Sequence, residues 1–250
     1  MDWEFILTMI TIRNCIAIGA MVCAISGAHA AETYLDLKAG YAASTWWGGS
    51  AVATNLGDTS YTLDLYGNRQ MHSGLSLGAS LELSLFSSLF FQPELLFTMK
   101  GFGLRQLRND PLDSTLTTVT MNYLEAPLLI KWRFEDSDLL PCVYIGPTLG
   151  ILLAAYGSME NPKQSFSSAD NDYLTKYSSK FDCGAAIGAS VEKRMGRNRI
   201  VIEARCTMGF IAINSLSQFQ QSQGVSSDAF PNDKNLVVSI MAGYGFASPF

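Results

Sequence analysis

The chain has 250 residues, with 17 Lys and Arg against 22 Asp and Glu and a formal net charge of −5. At 48% hydrophobic and 16% charged residues it is too apolar for a disordered chain and too sparsely charged for a coiled coil. The acid surplus leaves no basic footprint for nucleic acid, and two histidines leave little material for a histidine-rich metal site. Neither nucleic acid nor any cofactor or metal is expected as a ligand.

Residues 1–30 read as a cleaved secretory signal. An apolar stretch from Cys15 to Ile25 follows Arg13 and ends at the small-x-small site Ala28-His29-Ala30. Asp2 and Glu4 are foreign to the start of such a segment, so translation is expected to begin at Met9. Cleavage leaves residues 31–250 as one domain with net charge −4 and three cysteines, Cys142, Cys183 and Cys206. An odd, scattered set is not a disulfide framework.

The remaining chain alternates apolar and polar residues with period two in eight segments, the pattern of strands with unlike faces. They are 33–43, 71–84, 89–101, 116–134, 140–156, 180–193, 198–212 and 234–247. In the first, Leu35, Leu37, Ala39 and Tyr41 oppose Asp36, Lys38 and Gly40. In the seventh, Ile200, Ile202, Ala204 and Met208 oppose Glu203, Arg205 and Thr207. The run Leu139–Gly157 is charge-free over 19 residues, long enough to suggest a membrane helix. Pro141, Gly146, Pro147 and Gly150 make poor helix, and Val143, Ile145, Leu149, Ile151 and Leu153 continue the alternation.

Alternation alone does not separate a soluble barrel, apolar inside, from a membrane barrel, apolar outside. The connections do. Long links (44–70, 102–115, 157–179, 213–233) take turns with short ones (85–88, 135–139, 194–197), so that every long loop falls at one end. Each segment also reaches the ~9–11 residues that a tilted strand needs to cross a bilayer. Aromatic residues gather near both ends, with Phe91, Trp132, Phe134, Tyr244 and Phe246 toward the short turns and Tyr41, Tyr156 and Phe210 toward the long loops. The expected fold is all-β: an eight-stranded antiparallel up-and-down transmembrane β-barrel. It is expected in the outer membrane of a Gram-negative bacterium, with both chain ends periplasmic.

With the apolar face in lipid, the other face fills the lumen. Its charged members are Asp36, Lys38, Glu82, Glu94, Lys100, Glu125, Lys131, Arg133, Asp182, Glu192, Glu203 and Arg205. Eight strands enclose a space just wide enough for side chains, and buried charges must be paired. A charge-paired, plugged interior is therefore expected. No catalytic residue is assigned. Glu94, Glu125 and Glu203 are read as lumen filler, and His72, with Ser73 or Asp64 nearby in sequence, as a rim residue. Cys183 and Cys206 are expected on adjacent strands, about two residues out of register. Trp46 and Trp47, in an otherwise small and polar loop, are candidate residues for binding a protein or ligand at the external loops.

Tyr123-Leu124-Glu125-Ala126-Pro127-Leu128-Leu129-Ile130-Lys131 and Tyr144-Ile145-Gly146-Pro147-Thr148-Leu149-Gly150 resemble the PorT-like outer-membrane β-barrel domain family of Bacteroidota. Gln92-Pro93-Glu94-Leu95, Phe181-Asp182-Cys183-Gly184 and Ile202-Glu203-Ala204-Arg205 fit the same register. The resemblance implies an eight-stranded outer-membrane barrel, with a tie to secretion in the founding member only. Cys206 departs from the pattern, standing where an aromatic is common. Pro93, Pro127 and Pro147 fall inside strands and predict local bulges. The final strand ends Tyr244-Gly245-Phe246, close to the signal read by the barrel-assembly machinery. Expected partners are thus outer-membrane lipids, that machinery during biogenesis, and an unidentified protein or ligand at the loops. The leading function is a non-enzymatic scaffold or binding barrel. A narrow transport channel, a lipid-modifying outer-membrane enzyme and a soluble lipocalin-like binder are the alternatives.

Overall fold

A computed structural model describes residues 33–48, 52–56, 59–63, 69–106, 115–134, 138–161, 164–166, 175, 178–213 and 233–247. The expected signal segment, residues 1–30, and Asp64 lie outside the described residues. Eight long strands form the barrel: β1 (Tyr34–Trp47), β4 (Arg69–Phe86), β5 (Leu89–Gln106), β6 (Thr115–Arg133), β7 (Leu139–Asn161), β9 (Phe181–Met195), β10 (Asn198–Gly209) and β11 (Lys234–Ala247). A small hairpin, β2 (Val52–Leu56) with β3 (Thr59–Leu63), lies between β1 and β4 in sequence, and β8 (Gln164–Phe166) extends one end of β7.

Each barrel strand pairs antiparallel with the next, and β1 pairs with both β4 and β11. The ring is therefore closed and has no edge through its wall, the condition for strands to cross hydrocarbon. Tyr34 stands beside Ala247, so both described ends lie at the end that carries the short turns. The β9–β10 turn is two residues long between Met195 and Asn198, and its first residue, Gly196, has φ of 64°. A side chain there would be strained, and a glycine at that position is the usual solution for a two-residue hairpin.

The burial pattern decides which way the faces point. Leu37 and Ile202 are 54% and 58% exposed, whereas Asp36 and Glu203 are 1% and 3% exposed. The same inversion runs around the ring through Leu75, Leu95, Ile145, Ile187 and Ile240, all exposed. A soluble barrel would show the opposite. The charge-free run 139–157 lies within β7, and no helix among the described residues is long and apolar enough to cross a membrane.

Three sequence expectations need correction. Bulges do not sit at the prolines. Register is continuous from Pro93↔Leu128 to Leu96↔Glu125 and from Pro127↔Thr148 to Ile130↔Ile145, with pairs skipped in between. A missing N–H removes a rung without adding a residue to either strand. The irregularities lie elsewhere, at Met71–Ser76 and Ser84–Phe86 in β4 and opposite Asn122–Tyr123, where Leu153 of β7 is extra. Trp46 and Trp47 are strand residues, since β1 runs four residues beyond the predicted end at 43. Cys206 pairs with Ile187 and Gly209 with Gly184, which puts Cys183 and Cys206 four residues out of register rather than two. Both are free thiols.

Candidate functional site

The interior is filled by charged side chains in three tiers. Nearest the short turns, Arg133, Arg199 and Lys131 meet Asp36, Glu82 and Glu192. Arg199 grips Asp36 through two nitrogens, Nε to Oδ1 at 2.9 Å and Nη2 to Oδ2 at 2.7 Å. Its Nη1 donates to Glu82 at 2.6 Å and to Glu192 at 2.9 Å. Lys131 Nζ donates to Glu82 at 2.6 Å and also to Glu192, and Arg133 Nη2 donates to Glu192 at 2.9 Å and also to Glu82. Phe90 and Tyr34 close this tier beneath Arg133 and Arg199, with their ring centroids 4.0 and 4.2 Å from the guanidinium carbons.

The middle tier is a square of two bases and two acids. Lys38 Nζ lies 2.8 Å from both Glu94 and Glu203. Arg205 reaches the same two carboxylates at 2.7 and 3.0 Å. Gln92 Nε2 donates to Glu94, and Arg205 lies over the Tyr144 ring. Tyr144 lies along the inner wall over its cross-strand partner Gly188, its hydroxyl donating to Ala204 O of β10 at 3.4 Å. A Cβ at Gly188 would stand 2.5 Å from the ring carbon that bears the hydroxyl.

In the upper tier Lys100 Nζ lies 2.8 Å from Glu125 and 3.0 Å from Asp182, and Asn235 Nδ2 donates to Asp182 at 2.8 Å. A cavity of about 10 Å³, room for about one water molecule, touches Glu125 and Arg205 and is lined by Ser76, Thr98, Thr148, Thr207 and Ser239 together with Leu96, Pro127, Val237 and Met241.

All twelve charged residues placed on the inner face by sequence are buried, at 7% exposure or less. Sequence reading missed a thirteenth, Arg199, which is 1% exposed. The signal was present. Continuing the inward parity of Glu203 back through Val201 reaches Arg199, but the residue sits beside a turn. With it the tiers hold three bases to three acids, two to two, and one to two.

Sequence reading also missed an apolar tier above the charges. Trp46, Phe102, Val119, Met121, Tyr123, Leu152, Ala155 and Ile213 pack together inside the long-loop end. Trp46 stacks on Phe102 at a centroid distance of 3.5 Å. Ile213 follows β10 and is held over the mouth by a backbone bond from its N–H to Asp233 O at 2.7 Å. Trp46 is thus a lumen residue. Trp47 faces outward, donates from Nε1 to Asn235 O at 3.2 Å, and carries the Lys234 ammonium 5.0 Å above its ring.

His72 and Ser73 do not meet. The Ser73 hydroxyl lies 2.7 Å from the Tyr41 hydroxyl on the outer surface, while His72 Nε2 lies 3.4 Å from Thr120 Oγ1. Among the described residues no group of three or more His, Cys, Asp or Glu is placed to hold a metal ion.

A closed eight-stranded ring, apolar outside and charged within, is the architecture of an outer-membrane barrel, and residues 35–215 match the model of the outer membrane protein beta-barrel domain family. The chain belongs to that family. This barrel is accordingly an integral outer-membrane protein of a Gram-negative bacterium. Among solved structures it is similar to Neisserial surface protein A (NspA), at 13% identity over 86% of this chain and 97% of that one, with a TM-score of 0.42. It is also similar to Ail, the attachment invasion locus protein of Yersinia pestis (16% identity, 87% and 99% coverage, TM-score 0.36). The N-terminal β-barrel domain of Pseudomonas aeruginosa OprF is a third (11%, 86% and 99%, 0.33). No curated protein matches the sequence.

Proposed function

We propose that this barrel is a non-enzymatic scaffold or binding protein that presents its long connections outside the cell and carries no solute through its lumen. The observation that carries this reading is the stack of tiers. A solute would have to break the ion pairs of Lys131, Arg133 and Arg199, then those of Lys38 and Arg205, then that of Lys100, and then part Trp46 from Phe102. Breaking one partner out of a buried pair costs about 3–5 kcal/mol, so opening by local fluctuation is rare. The narrow-channel reading has no comparable support, and Ser73 does not meet His72 as the Ser–His form of the enzyme reading requires.

The interior serves as a rigid base, and the connections 49–68, 107–114, 162–177 and 214–232 supply the contact surface, since binding residues gather on loops held by a rigid scaffold. Trp47, at the rim where β1 leads into the first of these, belongs to that surface, whereas Trp46 acts in the plug. The PorT-like pieces around Glu125 and Pro147 point to a role in envelope assembly or secretion. Export by a signal over residues 1–30, and insertion through recognition of Tyr244-Gly245-Phe246 by the barrel-assembly machinery, complete the proposal.

The test is crosslinking on intact cells with a surface-restricted reagent, comparing the wild type with a variant whose residues 214–232 are replaced by a short Gly-Ser linker. The proposal expects a discrete crosslinked partner that is lost in the variant while the variant still inserts. An identical crosslinking pattern in both proteins would refute a contact through that loop.

A further inference from the structure

The upper tier does not close electrically. The two tiers below it set equal numbers of bases and acids against each other, whereas Glu125 and Asp182 share the single cation Lys100. The layer above is apolar and supplies no positive charge. Lys180, just before β9, is exposed and makes no ion pair with a described residue. The tier is short of donors as well, since Asp182 Oδ1 and Asn235 Oδ1 are buried and accept no hydrogen bond from a described residue.

The small cavity between the upper and middle tiers adjoins this surplus. Lys100 takes Glu125 Oε1 at 2.8 Å, and Glu125 also lines the cavity. Facing it from β7, β10 and β11 are Thr148, Thr207 and Ser239, which are 5%, 9% and 5% exposed. Their hydroxyls hydrogen-bond to no other described residue. Those of Ser76 and Thr98, on the remaining side, lie 3.3 Å apart and bond to each other. Arg205 reaches the cavity wall too, but its guanidinium is engaged by Glu94 and Glu203 at 2.7 and 3.0 Å.

Buried hydroxyls with unused lone pairs, beside a carboxylate that shares its only cation, are the ligands of a hard cation. The surplus is one unit, so a divalent ion would overshoot it. A neutral water fits the volume but leaves the buried charge uncompensated, which is costly. Sodium is smaller than a water molecule and suits the space, whereas potassium is larger. We propose that the lumen holds one sodium ion between Glu125 and the hydroxyls of Thr148, Thr207 and Ser239, which closes the charge balance of the upper tier. The ion is resident, enclosed by the middle tier below and the apolar layer above. The inference does not depend on a partner at the loops.

The test is equilibrium urea unfolding of the full-length processed protein in vesicles, followed by tryptophan fluorescence. It is run in sodium, potassium or N-methyl-D-glucamine chloride at one total ionic strength. An ion bound only by the folded barrel raises the folded-to-unfolded ratio with its concentration. Raising free sodium from ~10 to ~100 mM is expected to raise that ratio about 3–10-fold, and potassium is expected to do markedly less. Asp182→Asn, which lets Lys100 balance Glu125 alone, is expected to lose the sodium dependence. Thr207→Val and Ser239→Ala, which each remove one ligand, should weaken it, and Thr45→Val, outward by the parity of β1, should keep it. Heat-dependent gel mobility verifies that each variant is folded, and the two hydroxyl variants carry the test if Asp182→Asn is not. Identical midpoints in the three salts would mean that the cavity holds water alone and would overturn the proposal. So would stabilisation by potassium equal to that by sodium, or a sodium dependence that is unchanged in folded Asp182→Asn or in both hydroxyl variants.

Discussion

The tier nearest the short turns provides the sharpest energetic contrast. Glu82 is fully buried and accepts from three cations, Lys131, Arg133 and Arg199. Glu82→Gln keeps the shape but leaves that tier with three bases and two acids, and it also turns a donor amide toward a site that offers only donors. An uncompensated buried charge costs about 3–5 kcal/mol, or about two to four orders of magnitude in the folded-to-unfolded ratio. Asp182→Asn acts on the upper tier, where Glu125 and Asp182 share the single cation Lys100. There the substitution removes surplus negative charge and should cost less than about 1 kcal/mol. Both variants can be compared with wild type by reversible urea unfolding in detergent or vesicles, followed by tryptophan fluorescence. Equal destabilisation by the two substitutions would refute the argument from tier charge balance. A second check is Arg133→Met in the Glu82→Gln background. Restoring two bases to two acids should recover part of the loss, with a coupling of about 0.5–3 kcal/mol.

Three further outcomes follow from the same geometry. Trp46→Ala empties the stack on Phe102 and should cost about 3–5 kcal/mol, read by the same unfolding assay. Ile145→Arg places a cation on a lipid-facing position that is 58% exposed and should cost about 2–4 kcal/mol in vesicles near the bilayer midplane, with a much smaller effect expected at Met195, beside a turn. Gly188→Val puts branches where both the Tyr144 ring and the Ala204 carbonyl lie and should lower the unfolding midpoint, whereas the companion change Tyr144→Ala should recover only the part due to the ring, because the carbonyl contact stays.

The parity of the strands carried most of the fold. Once Asp36, Lys38, Glu203 and Arg205 shared a face with small residues, and every long link fell at one end, the ring and its inside-out faces were determined. Alternation does not report the level at which a residue sits. The pairing of Lys38 with Glu94 and Glu203, 56 and 165 residues away, depends on the stagger of the strands and on three register irregularities that have no mark in the sequence. Trp46 was misjudged for a related reason. Gly48, with φ of 90°, marks the strand's end, but β1 continues to Trp47, and only the strand's parity separates a plug residue from its outward neighbour. The prolines misled in the other direction, because they suggest bulges while the ladder passes them by skipping rungs in register.

Single-channel recording tests the central claim most directly. The purified full-length protein would be inserted into a planar bilayer at high salt and held under voltage while current is followed, with insertion verified by the unboiled, fast-migrating gel form. Tiers of paired charges beneath an apolar layer predict a flat baseline with no stable steps in the wild type. Reproducible, long-lived conductance steps from the folded protein would mean that the tiers part to leave a path, and the plugged-scaffold account would be wrong.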